Sequence, residues 1–141
     1  MRQEIAVINA HRRYRIARKV VAGYVRHVLK SAAHKRARLS VVFIDSRYSR
    51  IINRKYLKHD YATDVISFPL EEGENLEGEI YVNLDKARQQ ARRYGVSFSN
   101  EIARLVVHGT LHLVGFDDRT INGAARMKKE EDKHVRFWFS E

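Results

Sequence analysis

The chain has no cysteine and one proline, Pro69, among its 141 residues. Without cysteine there is neither a disulfide framework nor a thiolate metal site. This fits a reducing compartment, and a cytoplasmic location is expected. One proline and seven glycines leave no linker, repeat or low-complexity tract. Residues 1–141 therefore read as a single domain, long enough to bury a core without staples. No apolar run approaches the roughly 18 residues of a membrane span. After Met1-Arg2-Gln3-Glu4 only the short run Ile5 to Ile8 follows, too little for a signal peptide. Neither a strongly basic amphipathic terminus nor a lipidation signal occurs, so no membrane partner is expected. Acidic residues are in the minority: 17 Asp and Glu face 27 Lys and Arg, a formal charge of +10. A chain this basic expects an anionic partner, and the prominence of arginine favours nucleic acid.

What is present in concentrated form is one apolar stretch, Glu101 to Val114. Ile102, Ala103, Leu105, Val106, Val107, Leu111, Leu113 and Val114 leave no solvated face, the mark of a buried helix. Asn100, Arg104, His108 and His112 recur every four residues and form one polar line along it. Gly115 can end the helix in a left-handed conformation, so that Asp117 and Asp118 turn back toward the histidines. The spacing His-x3-His-x5-Asp, with Gly115 between, is the ligand spacing of metzincin zinc sites, with Asp118 as third ligand. Three protein ligands and an open position are what catalytic zinc uses. Zincins place a glutamate after the first histidine as general base, whereas here that position is Gly109. The site is therefore expected to bind metal without hydrolysing peptides by that route.

The remaining chain reads as alternating elements. Ile5–Ile8 is a short strand, and residues 12–34 have helical periodicity with a basic opposite face that includes Arg15, Arg18 and Lys19. Leu39–Ile44 is a buried strand, and Asp45 or Ser46 can cap a helix from Arg47 to Leu57. Val65–Pro69 is a third strand, stopped by its proline, and Glu79–Leu84 a fourth, after an acidic loop. Asp85 opens a helix to about Tyr94, and residues 120–139 form the last helix. Helical crossovers favour parallel pairing of the first three strands, and the short loop favours an antiparallel hairpin of the third and fourth. The expected fold is α+β: a small mixed sheet of about four strands packed with helices, the metal helix buried in the core.

A second unusual segment runs from Asn53 to Pro69. On its own, Thr63, Asp64 and Ser67 can equally cap a turn and satisfy backbone groups. Three blocks together resemble the YbeY-type rRNA-processing endoribonucleases: Asn53…Tyr56…Asp60…Thr63-Asp64-Val65-Ile66-Ser67-Phe68-Pro69; Gly78-Glu79-Ile80-Tyr81-Val82 with Ala87 and Ala91; and His108-Gly109-Thr110-Leu111-His112-Leu113-Val114-Gly115-Phe116-Asp117-Asp118 with Met127 and Glu130. The chain departs from the family pattern at Asp118, where a third histidine is usual, and at Leu57, where an arginine is usual. The resemblance implies an α+β fold, a catalytic Zn2+ and cleavage of single-stranded RNA. It also implies work on 16S rRNA 3′-end maturation and on quality control of the small ribosomal subunit.

The resulting expectation is metal-assisted phosphodiester hydrolysis, with His108, His112 and Asp118 as metal ligands. Asp64, Arg104 and Asp117 are the candidate catalytic residues, orienting ligands or moving a proton. A carboxylate ligand makes metals harder than zinc more competitive, and two histidines with one carboxylate is also the set of non-haem iron oxygenases. The +10 charge fits RNA better than a small oxidisable substrate. Two other readings are a non-catalytic ribosome-binding factor whose metal is closed off by His134 or Asp117, and a metalloprotease, which Gly109 disfavours.

Overall fold

A computed structural model describes residues 2–139. The elements in order are β1 (Arg2–Asn9), α1 (Arg18–Ser31), β2 (Arg36–Ile44), α2 (Ser46–Ile52), a π-helical turn (Asn53–Leu57), β3 (Val65–Glu71), β4 (Asn75–Asn83), α3 (Leu84–Tyr94), α4 (Phe98–Leu113) and α5 (Ile121–Phe139). The strands form one mixed sheet in the order β1-β2-β4-β3. β1 and β2 are parallel, β2 and β4 are parallel, and β3 is antiparallel to β4.

The hairpin is as expected, but β3 does not pair with β2. β4 takes the inner place because Leu76, Ile80 and Val82 are buried and both its edges can be paired. The strand carrying Pro69 goes to the edge, where a missing N–H costs no ladder bond. There Pro69 does not stop the strand: it lies opposite Gly78, and the register shifts between Pro69 and Glu71. β4 accordingly begins at Asn75, and the acidic loop shrinks to a tight turn around Gly73.

α1 starts at Arg18, not near Arg12. The Asn9 side chain captures the intervening segment: its amide donates to the Tyr14 carbonyl at 2.7 Å and its oxygen accepts from the His11 N–H at 3.0 Å. Side-chain bonds of this kind compete with helix. Tyr14 then packs edge-on against Phe98, ring centres 5.0 Å apart, which anchors the segment to α4. Arg12, Arg13 and Arg15 therefore project from a loop. Asp45 caps α2 by accepting from the Tyr48 N–H. Asn83, not Asp85, caps α3, while the Asp85 carboxylate accepts from the Ser46 N–H and His11 Nε2, each at 2.9 Å.

α4 lies in the core, packed on β3 and β4 and flanked by α1, α3 and α5. Ala103, Val106 and Val107 are wholly buried. Its apolar residues are covered on all these sides, and from Asn100 onward only the line of Asn100, Arg104, His108 and His112 stays partly exposed. Among the described residues no helix is long and apolar enough to cross a membrane.

Between α1 and α5, His134 is buried with its Nδ1 2.7 Å from Nδ1 of His27, and its Nε2 has no hydrogen-bond partner. Burial pushes the His134 imidazole down from 6.5 to about 4, aided by the neighbouring His27 and Lys133 and opposed by Glu130. Folding therefore favours neutral His134. Its contribution is complete above about 6.5 and is lost as pH falls toward about 4, because the unfolded chain takes up the proton first. The metal-free protein should melt at a lower temperature at pH 5 than at pH 7, and the drop should be smaller in His134→Leu. Equal drops in thermal melts of the two proteins would remove His134 as a cause.

Candidate metal centre

Ser97 caps α4 through the Asn100 N–H at 3.0 Å, and Glu101 lies in the first turn, where a carboxylate favours the helix dipole. The helix ends in a Schellman turn. Gly115, with φ of 110°, donates its N–H to the His112 carbonyl at 3.1 Å, and Phe116 donates to the Leu111 carbonyl at 3.0 Å. This reversal carries Asp118 back across the last turn of α4. The Nε2 atoms of His108 and His112 are 3.1 Å apart, and each stands 3.6 Å from an oxygen of Asp118. A tetrahedral ion with bonds of about 2.0–2.2 Å needs ligand atoms roughly 3.3–3.6 Å apart. The triangle fits such an ion, and its three residues are half-buried or exposed, leaving a side open to solvent.

A family model described as endoribonuclease YbeY matches residues 6–138. The chain belongs to the YbeY family. It is 42% identical over 125 residues to the endoribonuclease YbeY of Chlorobium luteolum, covering 89% of this chain and 85% of that protein. It is 41% identical over 120 residues to that of Salinibacter ruber, covering 79% and 76%. The solution structure of TM1509 from Thermotoga maritima matches with a TM-score of 0.68 at 24% identity, over 94% of this chain and 87% of that one, which shows the shared fold. Membership of the YbeY family makes the chain an enzyme of the endoribonuclease class.

In this YbeY-family chain the candidate metal centre is backed by a residue that sequence reading passed over. Glu131 of α5 accepts a hydrogen bond from Nδ1 of His108. A carboxylate only accepts, so the proton sits on Nδ1 and the Nε2 lone pair faces the ligand triangle. Arg104 Nη1 holds the other oxygen of Glu131 at 3.2 Å and Asp132 at 2.9 Å. Glu130, the neighbour singled out from the sequence, instead lies 3.0 Å from Lys133. The available signal was helical spacing: Glu131 follows the buried Met127 by four residues and precedes the buried Val135 by four, so it falls on the inward face of α5.

Burial alone would lower the His108 imidazole, but the hydrogen bond and charge of Glu131, with Asp118 and Asp64, raise it. Burial and the neighbouring His108 lower His112. Before metal binds, an added proton goes to His108. A divalent ion bound there would have to displace it, so its affinity should rise with pH.

The other sequence candidates are placed as follows. Asp64 stands where the chain enters β3, its carboxylate accepting from the Val65 N–H at 2.8 Å and its carbonyl from the Asn83 N–H at 2.8 Å. Its charge reaches His108. The segment before it is knitted to α2: Ser49 Oγ donates to the Thr63 carbonyl and buried Asn53 donates to the Tyr61 carbonyl and Thr63 Oγ1. Those bonds set where Asp64 sits. Asp117 turns outward to Arg119, 2.6 Å from its guanidinium, which holds the carboxyl below its usual range. Arg104 sits behind His108 as the clamp on Glu131.

Gly109 also has a structural reason. A Cβ there would lie 2.6 Å from Ile80 Cγ2 and 3.1 Å from Ser67 Oγ. Ser67 donates to the Gly109 carbonyl at 3.0 Å. Where zincins carry their general base, this helix meets the sheet with no room for a side chain.

Removing the Glu131 support should weaken metal binding about 10- to 100-fold, the usual cost of losing a ligand's outer partner. Glu131→Ala should show this in chelator competition, with Glu131→Gln, which can still accept through its amide oxygen, in between. Wild-type affinity in Glu131→Ala would mean that the carboxylate does not orient His108.

Proposed function

We propose that the chain is a metal-dependent endoribonuclease that hydrolyses phosphodiester bonds in single-stranded RNA. We further propose a cytoplasmic role in 16S rRNA 3′-end maturation and small-subunit quality control. The observation that carries the metal dependence is the ligand triangle of His108, His112 and Asp118, open on one side and oriented from behind by Glu131. A divalent ion held there, zinc or a harder metal suited to the Asp118 carboxylate, supplies a Lewis acid for a phosphoryl oxygen and acidifies a water. Glu131 and Arg104 keep the His108 lone pair aimed at the ion. Asp64 places a negative charge beside the centre and is the proposed proton acceptor. Asp117, engaged by Arg119, is proposed to act only after that pair opens.

The alternative, a ribosome-binding factor with a closed structural metal, calls for a fourth protein ligand. Among the described residues neither candidate joins the triangle: only His108, His112 and Asp118 gather there, while His134 turns its Nδ1 to His27 and Asp117 turns to Arg119. That favours the catalytic reading.

Arg15, Arg18 and Lys19 are exposed around a groove at the start of α1 and are the proposed phosphate contacts away from the metal. The test is cleavage of a single-stranded RNA with and without chelator. Activity should vanish with chelator and return with zinc or manganese. Binding should weaken steeply with salt, by roughly 0.7 in log affinity per log salt for each phosphate contacted. Replacing Arg15, Arg18 and Lys19 by alanine should flatten that slope. Full activity in chelator would end the metal-dependent reading, and salt-insensitive binding would end the RNA reading.

A further inference from the structure

A cleft of about 450 Å³ opens directly from the metal centre, between the α3–α4 connection, α4 and α5. His108 and Asp118 are among its lining residues, and buried Met127 with the partly exposed Val96 gives it apolar walls. Tyr94, the last residue of α3, stands at its rim. Gly95 terminates that helix with φ of 67°, and Tyr94 is left 59% exposed. Asn100 presents a side-chain amide to the same cleft with no hydrogen bond from that amide among the described residues. Lys128 brings a cation to its mouth, 73% exposed. The volume lies in the range of small-ligand pockets, about 300–1,000 Å³.

We propose that this cleft binds the nucleobase of the nucleotide whose phosphate lies at the metal centre, with adenine preferred. This deepens the endoribonuclease reading and rests on it for the identity of the ligand. A base hangs one ribose away from its phosphate, and His108 and Asp118 themselves line the cleft. A phosphate at the ligand triangle therefore delivers the attached base between Tyr94 and the apolar walls. Tyr94 supplies a face for stacking, which suits any base. The Asn100 amide offers one acceptor and paired donors, matching the N6 amino group and N7 of adenine. Guanine presents two acceptors on that edge and satisfies only half of the amide. Lys128 is positioned for the flanking phosphate.

The test uses the zinc-loaded protein and calorimetric titration with the 3′- and 5′-monophosphates of adenosine and guanosine, each beside the matching ribose phosphate. Stacking one base is worth about 1–3 kcal/mol, so one of the adenosine monophosphates should bind about 5- to 150-fold more tightly than its ribose phosphate. Tyr94→Ala should erase that ratio without changing ribose phosphate binding, and Tyr94→Phe should retain it. Asn100→Leu should erase the preference for adenosine over guanosine. Equal binding of nucleotide and ribose phosphate, or a ratio that survives Tyr94→Ala, overturns the proposal. An intact ratio in a protein that cuts no RNA would overturn the nuclease reading and leave the base site standing.

Discussion

His112→Ala is expected to fold, to lose its metal and to cut RNA at least ~100-fold more slowly than wild type while binding it within a few-fold. The rate loss follows from removing the principal electrostatic catalyst of a hydrolytic site. The retained affinity follows because lysines and arginines neutralising phosphates supply most of the binding free energy. Folding should survive because the His112 side chain is 31% exposed, so its truncation opens toward solvent and not into the core. Elemental analysis should fall from about one equivalent of metal per chain toward none, with a thermal melt as control. A folded, metal-free His112→Ala protein that cleaves at the wild-type rate would end the hydrolytic-metal mechanism and put the RNA-binding factor first. Asp118→Asn should deplete metal where Asp117→Asn does not, since only Asp118 stands in the ligand triangle. The opposite result would exchange the two aspartates.

The second large effect is expected at Gly109, through the fold. Alanine would gain about 1 kcal/mol of helix propensity over glycine. Its Cβ would meet Ile80 Cγ2 at 2.6 Å on a sheet strand paired on both edges, which cannot yield easily. Overpacking of that kind costs about 1–3 kcal/mol, so Gly109→Ala should be net destabilising despite the better helix former. Gly109→Glu, which would install the general base of a zincin, adds a carboxylate buried between α4 and the sheet. Its loss should exceed ~4 kcal/mol, a large share of a total of roughly 5–15. Denaturant unfolding should rank wild type above Ala above Glu, with the Glu variant largely unfolded or insoluble. An alanine variant more stable than wild type would show that α4 and β4 do not meet as closely as described.

The residues that could be read without tertiary structure are those whose partners are near in the chain. His108 and His112 share a helix face by the 3.6-residue period, and Gly115 brings Asp118 back to them within one reversal, so spacing alone was enough to predict that the three side chains converge. The same holds for the β3–β4 hairpin and for a cap at Asp45 or Ser46, of which Asp45 takes the place. What the tertiary structure decided depends on residues far apart. β4 lies between β2 and β3 because burial and the place of Pro69 choose the inner strand, which no local pattern ranks. Asn9 delays α1 by bonds that outcompete helix periodicity. Glu131 reaches His108 from 23 residues away, and its sequence neighbour Glu130 looks equally eligible until α5 is docked on α4. Gly109 likewise reads as a missing base in the sequence, and only the approach of Ile80 shows why no side chain can stand there. Helix and strand periods are set by the backbone of one segment, whereas docking is set by which buried faces meet, and that information is distributed over the whole chain.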